Sequence, residues 1–148
     1  LDTEWRNALE AAEIASQTND WGSLKPLSGG LRDFLYLSIY GAEPTRLQTL
    51  GRTSARSAGD VLGEANCIQS LGDIALARSD HDAARYHYVK ALILYGRMRN
   101  MTGAASTNER LAAVTNGVDR ATHITAAKRI WTEIGLPDRA ARVDRVSK

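Results

Sequence analysis

Apolar residues recur along this chain at steps of three and four, the spacing of one helix face. Ala84, Tyr88, Ala91 and Tyr95 step by 4, 3 and 4. Ile68, Leu71, Gly72 and Ala75 do the same on the preceding stretch. Residues at these steps lie one above another along a helix, so each set forms one buried stripe. Strand-type alternation with a period of two does not persist over any useful length. Polar breaks separate the periodic stretches: Asn19-Asp20, Tyr40-Gly41, Gly59-Asp60, Ser79-Asp80, Arg99-Asn100, Asn116-Gly117 and Gly135-Leu136-Pro137-Asp138. Gly59-Asp60 reads as a helix stop followed by a cap. Glycine tolerates the left-handed position that ends a helix, and the aspartate accepts the free N–H groups of the next one. The pattern predicts an all-α fold with helices near 3–18, 21–39, 42–58, 61–78, 80–98, 101–115, 118–134 and 137–146.

The chain also repeats itself. Shifted by 40 residues, Gly63-Glu64-Ala65 falls on Gly103-Ala104-Ala105, Gly59-Asp60 on Arg99-Asn100, and Leu71 on Leu111 and, backwards, on Leu31. At a shift of 36, Ala91 falls on Ala127, Leu94 on Ile130, Tyr95 on Trp131 and Met98 on Ile134. The missing four residues are about one helical turn. The expected organisation is a single domain of three helix pairs, 21–60, 61–100 and 101–135, with an N-terminal helix in 1–20 and a C-terminal capping helix in 136–148. One pair cannot bury both of its faces, so neighbouring pairs must stack on it. Gly72 and Ala91 are expected as spacers between helices, with Leu71 and Tyr88 filling the space beside them.

The middle unit, from Ala65 to Met98, resembles a tetratricopeptide repeat. Leu71-Gly72, Ala84, Tyr88 and Ala91 match that family's residues, spaced by 12, 4 and 3 from Gly72 onward. Ile68 stands where the family has tryptophan, and Gly96 where it has proline. The wider pattern of Glu4-Trp5, Asp20-Trp21, Ala58-Gly59-Asp60, Gly63-Glu64-Ala65 and Trp131-Thr132-Glu133-Ile134-Gly135 is similar to the C-terminal repeat regions of bacterial signalling ATPases and transcriptional regulators of the NB-ARC type. The resemblance implies a right-handed α-α superhelix, a TPR-like solenoid whose concave side is lined by the first helix of each pair. It also implies a protein-binding sensor or scaffold module of a larger bacterial regulator. The chain begins at Leu1 and not at methionine, which fits a piece cut from a longer protein.

Carried onto this sequence, the family's ligand-facing positions are Asn66, Gln69, Asp73, Leu76 and Ala77 in the middle unit. The first unit supplies Gly29, Asp33, Tyr36 and Leu37, and the third Ser106, Glu109, Ala113 and Asn116. The family's lysine–asparagine clamp for a terminal carboxylate is missing, because Ser70 and Asp73 occupy two of its positions. With Asp33, Asp73 and Glu109 along one groove beside Tyr36, a mildly acidic face for a basic or polar peptide is expected.

Composition narrows the alternatives. The net charge is only +2, with both signs interspersed, so nucleic acid is not the first partner expected. An arginine-rich outer face, with Arg46, Arg52, Arg56, Arg78, Arg85, Arg97 and Arg99, keeps a nucleic-acid adaptor as the alternative. Cys67 is the only cysteine and lies on a buried stripe, so it reads as a core thiol; a cytoplasmic setting is expected. The three histidines show no metal-ligand spacing, and no metal site or cofactor is expected. Ser28-Gly29-Gly30 lacks the Gly-Lys-Ser/Thr ending of a phosphate loop and falls within a helix. The chain therefore reads as a binding module, not an enzyme. No apolar run approaches the about 20 residues that cross a bilayer. An exposed solenoid end could support self-association.

Overall fold

The computed structural model describes residues 2–30 and 43–146, and among these residues the chain is entirely helical, with no strand. The helices are α1 (Asp2–Gln17), α2 (Trp21–Gly30), α3 (Glu43–Ser57), α4 (Val61–Ala77), α5 (His81–Arg97), α6 (Met101–Val114), α7 (Gly117–Glu133) and α8 (Pro137–Val146). Their described ends fall within one or two residues of the pattern-based expectation. The stretch 31–39 expected to complete the second helix lies outside the described residues, and so do Asp33, Tyr36 and Leu37.

The agreement has a local cause in the turns. Asn19, Gly59, Ser79, Arg99 and Gly135 all adopt positive φ, between 54° and 81°. At each of these sites the helix closes with the same pair of bonds. The N–H of the left-handed residue reaches back three residues (Gly59 to the Arg56 carbonyl), and the next N–H reaches back five (Asp60 to Ala55, Asp80 to Ala75, Asn100 to Tyr95). This is the Schellman arrangement, which satisfies carbonyls that a helix end leaves free. The residue making the longer bond then opens the next helix. The Asp60, Asp80 and Asn100 side chains accept from the N–H groups of Gly63, Ala83 and Gly103. One Asp or Asn thus closes one helix and caps its successor, with no residue in between. The α6–α7 connection is built differently. Thr115 and Asn116 are extended, Asn116 makes no side-chain cap bond, and Gly117 enters α7 at φ +56°.

Consecutive helices pack on one another around three adjoining cores. Ala12, Ala15, Trp21, Leu24, Leu47, Ala55 and Cys67 join α1–α4. Ala75, Ala84, Tyr88 and Leu111 join α4, α5 and α6. A larger cluster runs from Ala65 and Ile68 through Tyr95 and Ala105 to Trp131, Ala140 and Val143. Cys67 is buried, as its stripe predicts.

Glycines seat the aromatic rings. A Cβ at Gly72 would lie 2.5 Å from the Tyr88 ring, one at Gly103 2.4 Å from the Tyr95 ring, and one at Gly63 2.6 Å from the Trp21 ring. The sequence suggests that Gly72 lets two backbones approach, with Tyr88 beside it. In the structure the Tyr88 ring lies directly on Gly72. Each seated ring then hands its polar tip to a partner. Tyr88 Oη donates to Asp73 at 2.8 Å, Tyr95 Oη to Asn66 at 2.7 Å, and Trp21 Nε1 to Asp60 at 2.8 Å. Burying an aromatic ring while satisfying its polar atom keeps the hydrophobic gain without the cost of an unpaired donor.

Candidate functional site

On α4, Asn66, Gln69, Asp73 and Leu76 step by 3, 4 and 3 and share one face. The facing stretch of α6 carries Ser106, Thr107, Glu109 and Arg110. The two helices are tied together side chain to side chain. Gln69 Nε2 donates to Thr107 Oγ1 at 2.8 Å and reaches Ser106 Oγ at 3.3 Å. Arg110 grips Asp73 with two nitrogens, Nε to Oδ1 at 2.7 Å and Nη2 to Oδ2 at 3.4 Å, and its Nη1 donates to the Ser106 carbonyl. Such a two-pronged guanidinium–carboxylate contact is the strong, directional form of ion pair. Burial works against the Arg110 charge, but the hydrogen bond and charge of Asp73 outweigh it and hold the guanidinium above its ordinary range.

The expected site residues fare unequally. Asp73 lies on the face but is not a free acid, because Arg110 and the Tyr88 hydroxyl both use its carboxylate. Gln69 is buried and Asn66 is taken by Tyr95, so both serve the packing between helices. Leu76 is partly buried against the Ala75–Ala84–Tyr88–Leu111 cluster. Glu109 accepts a hydrogen bond from Trp131 Nε1. Asn116 is not on the α6 face: α6 stops at Val114, and Asn116 sits beyond it in the extended connection. Where the face can be described it is a polar strip centred on an ion pair whose side chains are 32% (Asp73) and 31% (Arg110) exposed, with the Glu109 carboxylate beside it.

Arg110 and Thr107 were not legible as site residues, and the reason is geometric. A shift of 40 sets Asp73 opposite Ala113. The residues that touch across the two helices are 37 and 38 apart. Side chains on a helix lean toward its N-terminus, so contact partners need not be the residues equivalent by repeat. A search for opposite charges about one turn short of the repeat length would have paired Asp73 with Arg110.

Two histidines lie between helices. His123 of α7 hydrogen-bonds Asn108 of α6, Nδ1 to Oδ1 at 2.8 Å. The Asn108 amide nitrogen donates to the Ala104 carbonyl, so its oxygen is the acceptor and His123 Nδ1 carries the proton. Burial holds the His123 pKa below its ordinary 6.5, with Asp119 opposing. His87 is lowered as well, first by burial and then by the charges of Arg52 on α3 and Lys90 on α5, with Asp80 opposing. Both rings are therefore neutral in the fold when they would begin to charge in the unfolded chain. Their contribution is complete above pH 6.5 and is lost as pH falls through 6.5 toward the folded values. A third group acts lower. Lys25, the Gly63 N–H and Trp21 hold the Asp60 carboxyl at about 2, so its contribution is present above pH 3.8 and fades below it. Chemical denaturation followed from pH 7.5 to 3 should show stability falling on acidification, first between pH 7 and 5. His87→Gln with His123→Asn should flatten that decline and leave a second loss below pH 4. An unchanged slope in the double variant would remove the histidines from this account.

Among the described residues, no three or more His, Cys, Asp and Glu side chains gather as metal ligands, and no helix is long and apolar enough to cross a membrane. Comparison with family models finds no match for this chain, and comparison with curated proteins finds none either.

Proposed function

We propose that this chain is a protein-interaction module, a right-handed superhelix of the tetratricopeptide type that acts as the sensor or scaffold section of a larger cytoplasmic bacterial regulator. Helix pairs joined by the same turn and interlocked by the same glycine–aromatic seats support the superhelix. The observation that carries the binding role is the partly exposed strip on α4 and α6. Its polar groups are already satisfied internally, so a peptide laid on it adds hydrogen bonds to oxygens and N–H groups with spare capacity and strands no buried charge. Ala77 and Ala113, both exposed, flank the strip without bulk. An extended polar segment can therefore approach the Asp73–Arg110 pair, whose carboxylate and guanidinium fit a peptide's N–H and C=O groups.

Peptides selected on the intact chain from a random displayed library provide the test. Binding should fall at least about tenfold in Ala77→Arg with Ala113→Arg, since each arginine fills the strip from an exposed helix position and leaves the core alone. Circular dichroism should stay unchanged. Peptides that bind the double variant as well as the original would place recognition elsewhere.

A further inference from the structure

The outward face of α5 differs from α3 and α7 at the positions equivalent by repeat. Tyr86, Val89 and Ile93 step by 3 and 4 and are 55%, 43% and 50% exposed. They form an apolar ribbon about 10 Å long. At the positions equivalent by the shifts of 40 and 36, α3 presents Arg46, Thr49 and Thr53, and α7 presents Thr122, Thr125 and Arg129, all exposed and all polar. A solvent-facing helix surface ordinarily carries polar residues, as these two do. The apolar ribbon is thus peculiar to α5, and the repeat architecture does not require it.

Its borders are basic. Helical spacing sets Lys90 and Arg97 along one side of the ribbon and Arg85 along the other. Lys90 Nζ lies 4.2 Å from the centre of the Tyr86 ring, which leaves its charge at the ribbon's edge. Arg97 makes no ion pair among the described residues, and the one acid of this face, Asp82, is matched by Arg85 at 3.5 Å. An apolar centre with cationic margins selects its occupant. A second copy would bring the same three cations, Arg85, Lys90 and Arg97, with only one acid, Asp82, which Arg85 already engages, so most of the charge on the margins would stay unmatched. A nucleic acid would meet the cations, but Val89 and Ile93 neither stack on bases nor pair with phosphates. A helix with aliphatic residues on one face and carboxylates on its flanks satisfies both parts of the surface at once.

We infer that the outer face of α5 docks an acidic amphipathic helix of a partner protein. This surface is separate from the α4–α6 strip, and the inference does not rest on the strip binding anything.

The test uses the whole chain and a fluorescein-labelled helical peptide of about five turns with Leu on one face and Glu on its flanks, followed by fluorescence anisotropy. The wild type should bind it more tightly than a scrambled peptide of the same composition, and added salt should weaken the complex. Ile93→Glu and Arg97→Glu should each reduce affinity about tenfold or more, while Ala113→Arg on the other face leaves it unchanged. Both tested side chains are exposed, so the fold survives, which circular dichroism checks. Equal binding of the scrambled peptide, indifference to Ile93→Glu, or no binding at all would overturn the proposal. So would an oligonucleotide that binds with the same dependence on Arg97, or self-association in sedimentation that Ile93→Glu abolishes; these two outcomes would assign the face to nucleic acid or to a second copy.

Discussion

Tyr88→Ala is expected to lower the unfolding free energy by about 4 kcal/mol, Gly72→Ala by about 2 kcal/mol, and the two together by clearly less than the sum. The ring of Tyr88 is fully buried between α4, α5 and α6, and removing it leaves a cavity and deprives Asp73 of a donor. Gly72 sits in the middle of α4, where alanine ordinarily adds about 1 kcal/mol through helix propensity. Here the new methyl would press within 2.5 Å of the Tyr88 ring. The ring cannot swing away, because its hydroxyl is held by Asp73 and its faces are enclosed. In the double variant the methyl occupies part of the space the ring left, and the propensity gain returns. Urea titrations of the three variants measure the coupling. A Gly72→Ala protein as stable as the wild type would show that the ring does not hold its seat.

Trp131→Ala should cost a similar amount, about 4 kcal/mol, and its consequence should be spatially biased. Trp131 of α7 is fully buried. Its Nε1 donates to Glu109 of α6, and the Arg139 guanidinium of α8 lies 4.1 Å from its ring centre. One residue thus pins three helices. Ala140 and Val143, the buried contacts of α8, belong to the same cluster. Without the indole, α8 keeps little apolar contact, and its amides should lose protection from hydrogen exchange before those of α4 and α5 do. Trp131→Phe restores most of the buried ring but not the N–H, and should recover more than half of the loss. Uniform loss of protection along the whole chain in Trp131→Ala would contradict this bias.

Much of this architecture could be read from the residues in order, and the turns explain why. Gly59-Asp60, Ser79-Asp80 and Arg99-Asn100 are short-range signals, set by which residues tolerate positive φ and which side chains reach a free N–H three residues on. Helix boundaries depend on little else, so they could be placed without knowing the packing. The Asn116-Gly117 break marks the α6–α7 joint as well, but no short-range signal gives its extended form, and Asn116 lies beyond the end of α6. The face itself was harder. Helical spacing sets Asp73 on one side of α4 with Gln69, yet whether its carboxylate is free depends on Arg110, 37 residues away. Helical spacing within α4 carries no information about that contact. Asn66 and Gln69 illustrate the same limit: a polar residue on the right face is equally compatible with meeting a ligand and with meeting a neighbouring helix. The apolar ribbon on α5 was in plain view as Tyr86, Val89 and Ile93. It stands out only when set against the exposed polar residues of α3 and α7.

The shared turn residue makes neighbouring helices thermodynamically dependent. When the last turn of α4 frays, the Asp80 N–H releases the Ala75 carbonyl, and the carboxylate that caps α5 is no longer held in place. The same link runs from α3 to α4 through Asp60 and from α5 to α6 through Asn100. Disorder at one helix end is therefore passed to the start of the next, and these helices open as a block. The chain of dependence stops at Thr115 and Asn116, where no side chain serves both helices. α7 and α8 form the section that can part from the rest without uncapping it, and the Trp131–Glu109 and His123–Asn108 bonds are the polar ties that close the division.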